Sequence, residues 1–349
     1  MNNSNTVVEK EEIERIFHNF ALEAQKQISA NFQQPRKKVI VIAGPTATGK
    51  SSFALKLAET IGGEIVSADS MQVYRGMDIG TAKPNAKERE SVAHHLIDIR
   101  DLNETYNVVD FYFEARQACQ LILSKNKIPI IVGGTGFYIH SLIYGPPSGP
   151  PSSPEIRKQL EDECQEIGVE ALYKRLEQLD LPYAHSITKN DKQKIIRALE
   201  IIKITGKKVS KLPWKSKKKM QNYDFRCWYL YRPRENLYKR IEERCDLMIS
   251  EGLLEEVINL EKNGLKENTS ASQAIGYKQA LEYLRTERTS EDFNQFVQKF
   301  KQASRQYAKR QESWFSKYSQ KPVFNWVDLD LHDDEMIKQL IINDYEMGL

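Results

Sequence analysis

The stretch 38–51, KVIVIAGPTATGKS, constrains the fold more than any other part of the chain. Val39, Ile40, Val41 and Ile42 form a short β-branched run with the character of a buried strand, and it delivers directly into Gly44-x-x-x-x-Gly49-Lys50-Ser51. The glycines let the backbone turn back with its N–H groups facing inward, so Gly44, Pro45, Thr46, Ala47, Thr48, Gly49 and Lys50 can wrap a diphosphate. Lys50 adds a point charge, and Ser51 can offer its hydroxyl to Mg2+. Phe53, Leu55, Leu57 and Ala58 then mark a helix that Gly62-Gly63 stops. This order predicts an α/β protein with a P-loop NTPase-like core, a parallel sheet flanked by helices.

At 349 residues the chain can hold two folding units or one core with an insertion. Its net charge of only +3 means that any affinity for nucleic acid must come from local clusters. Cys119, Cys164, Cys227 and Cys245 are far apart, with no C-x-x-C pair and no histidine at ligand spacing, as in a reduced protein without structural zinc. No apolar run approaches the roughly 18–20 residues of a membrane span, and residues 1–35 lack the apolar centre of a signal peptide. A soluble, cytoplasmic protein that works without a membrane is expected.

Apolar residues Ile13, Ile16, Phe17, Phe20, Ala24 and Ile28 fall at helical spacing and predict an amphipathic helix ending before Pro35. Residues 64–69, EIVSAD, read as a second strand with Asp69 at its carboxyl edge, where ligands collect in open parallel sheets. Asp69 is therefore a site candidate, with a helix N-cap as the alternative. His94 and His95 are adjacent, so they cannot share one metal from a helix, and they are read as packing or hydrogen-bonding residues before the short apolar element 96–99. Residues 110–123 read as a helix and 128–132 as a third strand, which empties into Gly133-Gly134-Thr135-Gly136 and a helix over 137–142. ATPases place a metal-orienting aspartate after such a strand; here there are glycines and one hydroxyl, which disfavours a plain ATPase. Those glycines either admit a second backbone close to the ligand, with Thr135 donating to it, or form a structural turn.

The proline-rich stretch 144–154 marks a boundary, and helices are expected over 155–181 and 191–204. Seven lysines follow between Lys207 and Lys219 around Trp214, a solvated loop or an RNA contact. Residues 224–231 return as a fourth strand, followed by a long helix over 235–252 on which Arg240 and Arg244 share a face. Either arginine can serve as a second diphosphate cation or pair with surface acids. Lys299, Lys301, Arg305, Lys309, Arg310 and Lys317 alternate with Tyr307, Trp314, Phe315 and Tyr318 over 293–318, a pattern that suits a nucleic-acid backbone and equally a packed helix with a basic outer face. Residues 321–326 read as the last strand.

Assembled, the chain resembles the tRNA dimethylallyltransferases, also called tRNA isopentenyltransferases. The resemblance runs through GPTATGKS (44–51), SADSMQVYRGMDIGTAKP (67–84), HHLIDI (94–99), IVGGTGFYIHSLI (131–143), KIIRALEI (194–201), QAIGYKQ (273–279) and RQYAKRQ (305–311). It implies transfer of a dimethylallyl group from dimethylallyl diphosphate to N6 of the adenosine next to the tRNA anticodon, position 37, with Mg2+ and release of diphosphate. By the same resemblance Asp69 is the general base, and Thr135 and Arg244 hold the leaving group. Asp69, Ser70, Met71, Gln72, Thr135, Arg157, Gln193, Lys194, Ile195, Ile196, Arg197, Gln273, Ala274, Ile275, Gly276, Tyr277, Lys278, Lys309 and Arg310 match stretches that touch tRNA. An adenine in a stacked loop must be flipped out to reach a recessed carboxylate. The implied organisation is an N-terminal extension over 1–35, a first core part over 36–147, a helical insertion with a basic connector over 148–221, and core completion with tRNA-facing helices over 222–349, acting as a monomer. A small-molecule kinase shares the phosphate loop and remains the rival reading; a relative acting on free adenine nucleotides would not need 155–219 or 293–318.

Overall fold

The computed structural model describes residues 37–147, 149–212, 223–317 and 324–347. The helix expected within 1–35, Trp214 with the lysines at 215–219, and the start of the last expected strand lie outside the described residues. The first part of the chain forms β1 (Lys37–Ala43), α1 (Lys50–Ile61), β2 (Gly63–Ser67), α2 (Ala86–Ser91), β3 (His94–His95), α3 (Val108–Ser124), β4 (Ile128–Gly133) and α4 (Gly136–Tyr144). An insertion follows as α5 (Pro154–Ile167), α6 (Val169–Ala184) and α7 (Lys192–Thr205). The chain then returns through β5 (Tyr223–Tyr231), α8 (Arg234–Ser250), α9 (Leu253–Lys262), α10 (Tyr277–Tyr283), α11 (Ser290–Ser316), β6 (Phe324–Asp328) and α12 (Asp334–Met347).

Six strands form one sheet in the order β3-β2-β4-β1-β5-β6, and every pairing is parallel. In β1, Val39, Val41 and Ala43 enter the larger core under α3, α4, α8, α10 and α11, while Ile40 and Ile42 face α1 and α12. Burial on both faces explains why β1 is a continuous apolar run and not an alternating one. Gly49 (φ 100°) opens α1 and Gly62 (φ 64°) closes it, both in the left-handed region that glycine adopts without steric cost.

The insertion has its own core, built from Leu160, Leu172, Leu176, Ile195, Ile196, Leu199 and Ile201. Ser153 caps α5 by accepting from the Ile156 amide, with Pro154 in the first turn where its missing N–H costs nothing. Gly168 (φ 85°) divides the helical stretch expected over 155–181 into α5 and α6. Glu200 is fully buried and accepts from Ser152 Oγ, the Ser153 amide and Arg197, which fastens the proline-rich boundary to α7. The apolar element expected at 96–99 is a turn instead: Leu96 and Asp98 have φ of 63° and 55°, and Asp98 is held by Lys83 and Arg89. Its short strand lies one step earlier, at the two histidines.

Candidate active site

The loops that leave the carboxyl ends of β1, β2, β4 and β5 converge, as in other open parallel sheets. Gly44 must be glycine because a Cβ there would lie 2.4 Å from the Leu230 carbonyl oxygen of β5. The phosphate loop is braced from outside: Arg240 Nε donates to the Ala47 carbonyl and Arg232 Nε to the Thr48 carbonyl, each at 2.9 Å. Asp330, just past β6, pairs with Arg232. Of the two arginines considered as diphosphate ligands, Arg240 is thus a brace, and Arg244 is the one that faces the cavities. Burial, then the charge of Arg244, push the Lys50 ammonium down to about 8, with Asp69 opposing them. An arriving diphosphate would reverse that destabilisation.

Asp69 stands two residues beyond β2. Its Oδ1 accepts from the amides of Met71 (2.8 Å) and Gln72 (3.3 Å), so the carboxylate closes a turn and caps no helix. It also lies on the shared wall of two cavities. The larger, of about 310 Å³, is lined by Ile241, Met248, Ala274, Ile275, Phe300 and Tyr277 together with Ser70, Met71, Gln273 and Arg310. The smaller, of about 130 Å³, is lined by Lys50, Ser51, Gln72, Lys83, His94, Gly133, Gly134 and Gln311. Thr46, Asp69, Thr81, Arg244 and Tyr307 line both. A mostly apolar chamber therefore meets a polar, cationic one where Asp69 and Arg244 stand. Burial and the Asp69 charge push the Tyr307 phenol up to about 12.

The turn after β4 needs its glycines for packing. A Cβ at Gly133 would lie 2.4 Å from the Ala68 carbonyl, at Gly134 2.1 Å from Gln311 Nε2, and at Gly136 2.3 Å from the Trp314 ring. The segment just after β2 and the side chains of α11 approach these glycines closely, and Gly133 and Gly134 also line the polar cavity. Thr135 Oγ1 is buried without a hydrogen bond of good geometry, close to the Tyr307 phenol. Unlike Asp69 and Arg244, Thr135 lines neither cavity.

The residues matched to tRNA-touching stretches divide into two groups. Ser70, Met71, Gln273, Ala274, Ile275, Tyr277 and Arg310 line the larger cavity, while Lys278 and Lys309 are exposed nearby on α10 and α11. Gly276 (φ 91°) starts α10 against the Phe300 ring, and the buried Tyr277 hydroxyl donates to Glu256. Gln72 is a brace, accepting from Ser67 Oγ and donating to the carbonyls of Thr81 and Ala82. The insertion residues line neither cavity. Arg157 bonds Glu161 and Gln193, Lys194 pairs with Asp191, and Arg197 holds Glu200 and the Pro150 carbonyl. Ile195 and Ile196 are a correction: both are 0% exposed in the insertion core, so their side chains cannot touch RNA.

Sequence reasoning missed Arg232, Asp330 and Glu256, and held Gln311 only as the end of the matched stretch 305–311. Gln311 is 6% exposed; its Oε1 accepts from the Thr46 amide at 2.9 Å and its Nε2 donates to the Gly134 carbonyl at 3.0 Å. The signal was its spacing of four from Tyr307 on one helical face. Glu256 accepts from the amides of Asp78, Ile79 and Gly80 and so shapes the segment after Asp69. His94 and His95 hydrogen-bond Val92 and Glu64. Among the described residues no group of three or more His, Cys, Asp or Glu could hold a metal, and no helix is long and apolar enough to cross a membrane.

The family model for IPP transferases matches residues 72–318. The tRNA dimethylallyltransferase of Protochlamydia amoebophila is 60% identical over 97% of this chain and 98% of its own, and that of Chlamydia pneumoniae is 49% identical over 89% and 90%. A crystal structure of the tRNA isopentenylpyrophosphate transferase of Bacillus halodurans matches with a TM-score of 0.64 at 37% identity, covering 89% of this chain and 96% of that one. A eukaryotic dimethylallyltransferase captured acting on tRNA matches at 0.73 and 30% identity, covering 89% and 80%. The phosphate loop, the carboxylate beside it and these likenesses agree: the chain belongs to the tRNA dimethylallyltransferase family.

Proposed function

We propose that this protein transfers a dimethylallyl group from dimethylallyl diphosphate to N6 of adenosine 37, next to the anticodon of tRNA, and releases diphosphate. The observation that carries the proposal is the junction of the two cavities at Asp69 and Arg244. A diphosphate in the polar cavity meets Lys50, Arg244 and the loop amides, while a flipped adenine and the prenyl carbons occupy the apolar one. The amine attacks the allylic carbon as the C–O bond to the diphosphate breaks. Asp69 takes the proton lost by nitrogen, and the cations stabilise the charge gathering on the leaving group.

Mg2+ fits as a partner of the substrate. Ser51 lines the polar cavity and supplies one hard oxygen, which suits an ion that keeps several waters and takes its other ligands from phosphate oxygens. When bound it neutralises diphosphate charge as a Lewis acid. The tRNA substrate supports a cytoplasmic site of action, and the protein acts as a monomer in this reading. An acid-free end to β4 favours group transfer over the kinase reading.

Labelled dimethylallyl diphosphate incubated with an anticodon stem-loop should give labelled RNA. Asp69→Ala should lower kcat by at least about a hundredfold while RNA affinity stays within twofold. Nucleotide hydrolysis without RNA labelling would refute the function, and an unchanged kcat in the variant would refute the base assignment.

A further inference from the structure

We infer that Gln311 is a positioning residue for the donor diphosphate: it sets the spacing between the phosphate loop and the turn at 133–135, and it is not one of the side chains by which α11 meets RNA. The two ends of its amide make opposite bonds, accepting from the Thr46 amide and donating to the Gly134 carbonyl. Only one orientation of the amide satisfies both partners, because an N–H needs an acceptor and a carbonyl a donor. Thr46 lines both cavities, and Gly134 lines the polar one. One side chain thus fixes the distance between two diphosphate-facing walls.

The same triplet separates two roles by helical geometry. Lys309 and Arg310 are exposed, whereas Gln311 turns inward at 6% exposure beside Tyr307, one turn earlier on the same face. A Cβ at 134 would lie 2.1 Å from the Gln311 amide nitrogen, so any side chain there would displace the amide from its place. Removing the amide takes one partner from the half-buried Thr46 N–H and one from the buried Gly134 carbonyl, and the two loops then lose their common tie. An exposed helix carrying cations on one side is rigidly joined through this bond pair to the cradle on the other.

This inference rests on the reading of the site as a prenyl diphosphate pocket. The test compares full-length wild type with Gln311→Met, which fills the same space without either bond, and Gln311→Glu, which keeps the acceptor but sets a carboxylate against the Gly134 carbonyl. Calorimetric titration with inorganic pyrophosphate and Mg2+, anticodon stem-loop binding, and steady-state kinetics with each substrate varied are measured in parallel. In both variants pyrophosphate Kd and donor KM should rise about tenfold or more and kcat should fall, with RNA Kd within twofold. Unchanged donor KM and kcat in a folded variant, or a loss confined to RNA binding, would overturn the inference. If Gln311→Met does not fold, Gln311→Glu is read by the same criteria, and failure of both to fold would assign the residue to stability alone and overturn it. Wild type that neither binds pyrophosphate nor labels RNA would sink the functional reading instead, a result separable from any property of the variants.

Discussion

Lys50 should make donor binding fall off at alkaline pH, and the size of the effect follows from its surroundings. In the ligand-free protein burial and the neighbouring Arg244 hold its ammonium at about 8, against 10.5 for a free lysine. A bound diphosphate supplies the opposite charge and restores the ordinary value, so binding must take up a proton wherever free Lys50 is neutral. The apparent Kd then scales as one plus the ratio of neutral to charged Lys50, which makes binding about tenfold weaker at pH 9 than at pH 7. The assay is calorimetric titration with a non-hydrolysable prenyl diphosphate analogue, fully ionised over this window, from pH 7 to 9.5. Lys50→Arg keeps its charge throughout and should give a flat profile. A flat profile in wild type, or the same decline in Lys50→Arg, would refute the reasoning. Stability carries the mirror image: the folded value lies below the unfolded one, so the unfolded state binds more protons between about 8 and 10.5, and the ligand-free protein should gain stability as pH rises through that range. At neutral pH the retained charge costs up to about 3 kcal/mol, less where solvent screens the half-buried side chain, and the diphosphate offsets it.

Glu64→Gln should lower stability at pH 7 by roughly 1–3 kcal/mol: burial pushes this carboxyl up, but hydrogen bonds from His95, Lys127 and Lys125 outweigh it and hold it at about 2. Its folded value is depressed, so the contribution is complete above about 4.5 and is lost as pH falls towards 2; melting followed against pH should show a flatter acid limb in the variant, and identical limbs would contradict the assignment. Ile196→Ala should cost about 2–5 kcal/mol by denaturant unfolding while RNA affinity measured on folded protein stays within twofold, since the side chain is sealed in the insertion core. Gly136→Ala should cost about 1–3 kcal/mol, because its Cβ would press 2.3 Å from the Trp314 ring, and a crystal structure showing α11 undisplaced would count against that account.

The parts of the fold written in local pattern were legible in the sequence. β1 and β4 are short, β-branched and buried on both faces, β5 is rich in aromatic residues and buried over its second half, and α1 is framed by two glycines in left-handed conformation. Asp69 could be placed at a strand's carboxyl edge because the strand before it was recognisable. The braces could not be found this way. Gln311 reaches Thr46 across 265 positions, and Arg232 reaches Thr48 across 184, so neither bond leaves a local trace. Ile195 and Ile196 show the opposite case: with Leu199 they form an apolar stripe at helical spacing, a packing signal that residue-by-residue matching to RNA-touching stretches passed over.

The braces also bear on why this loop would grip a diphosphate without splitting a phosphate. Cleavage of a terminal phosphate asks for a metal-orienting acid at the end of β4, and that position is taken by glycines against which Ala68 and Gln311 pack. At Gly133 an acid's side chain has no room against the Ala68 backbone, and at Gly134 it would displace the Gln311 amide. In the proposed transfer, negative charge leaves Asp69 as it accepts a proton and gathers on the departing diphosphate. Lys50 and Arg244 stand within electrostatic reach of both positions, since each feels the Asp69 charge and each lines the phosphate cavity. The same two cations therefore support the ionised carboxylate before reaction and the diphosphate after it, and little reorganisation is needed between. That economy depends on a loop that does not shift, and the guanidinium groups of Arg232 and Arg240 on its outer carbonyls, with the Gln311 amide on Thr46, supply the rigidity.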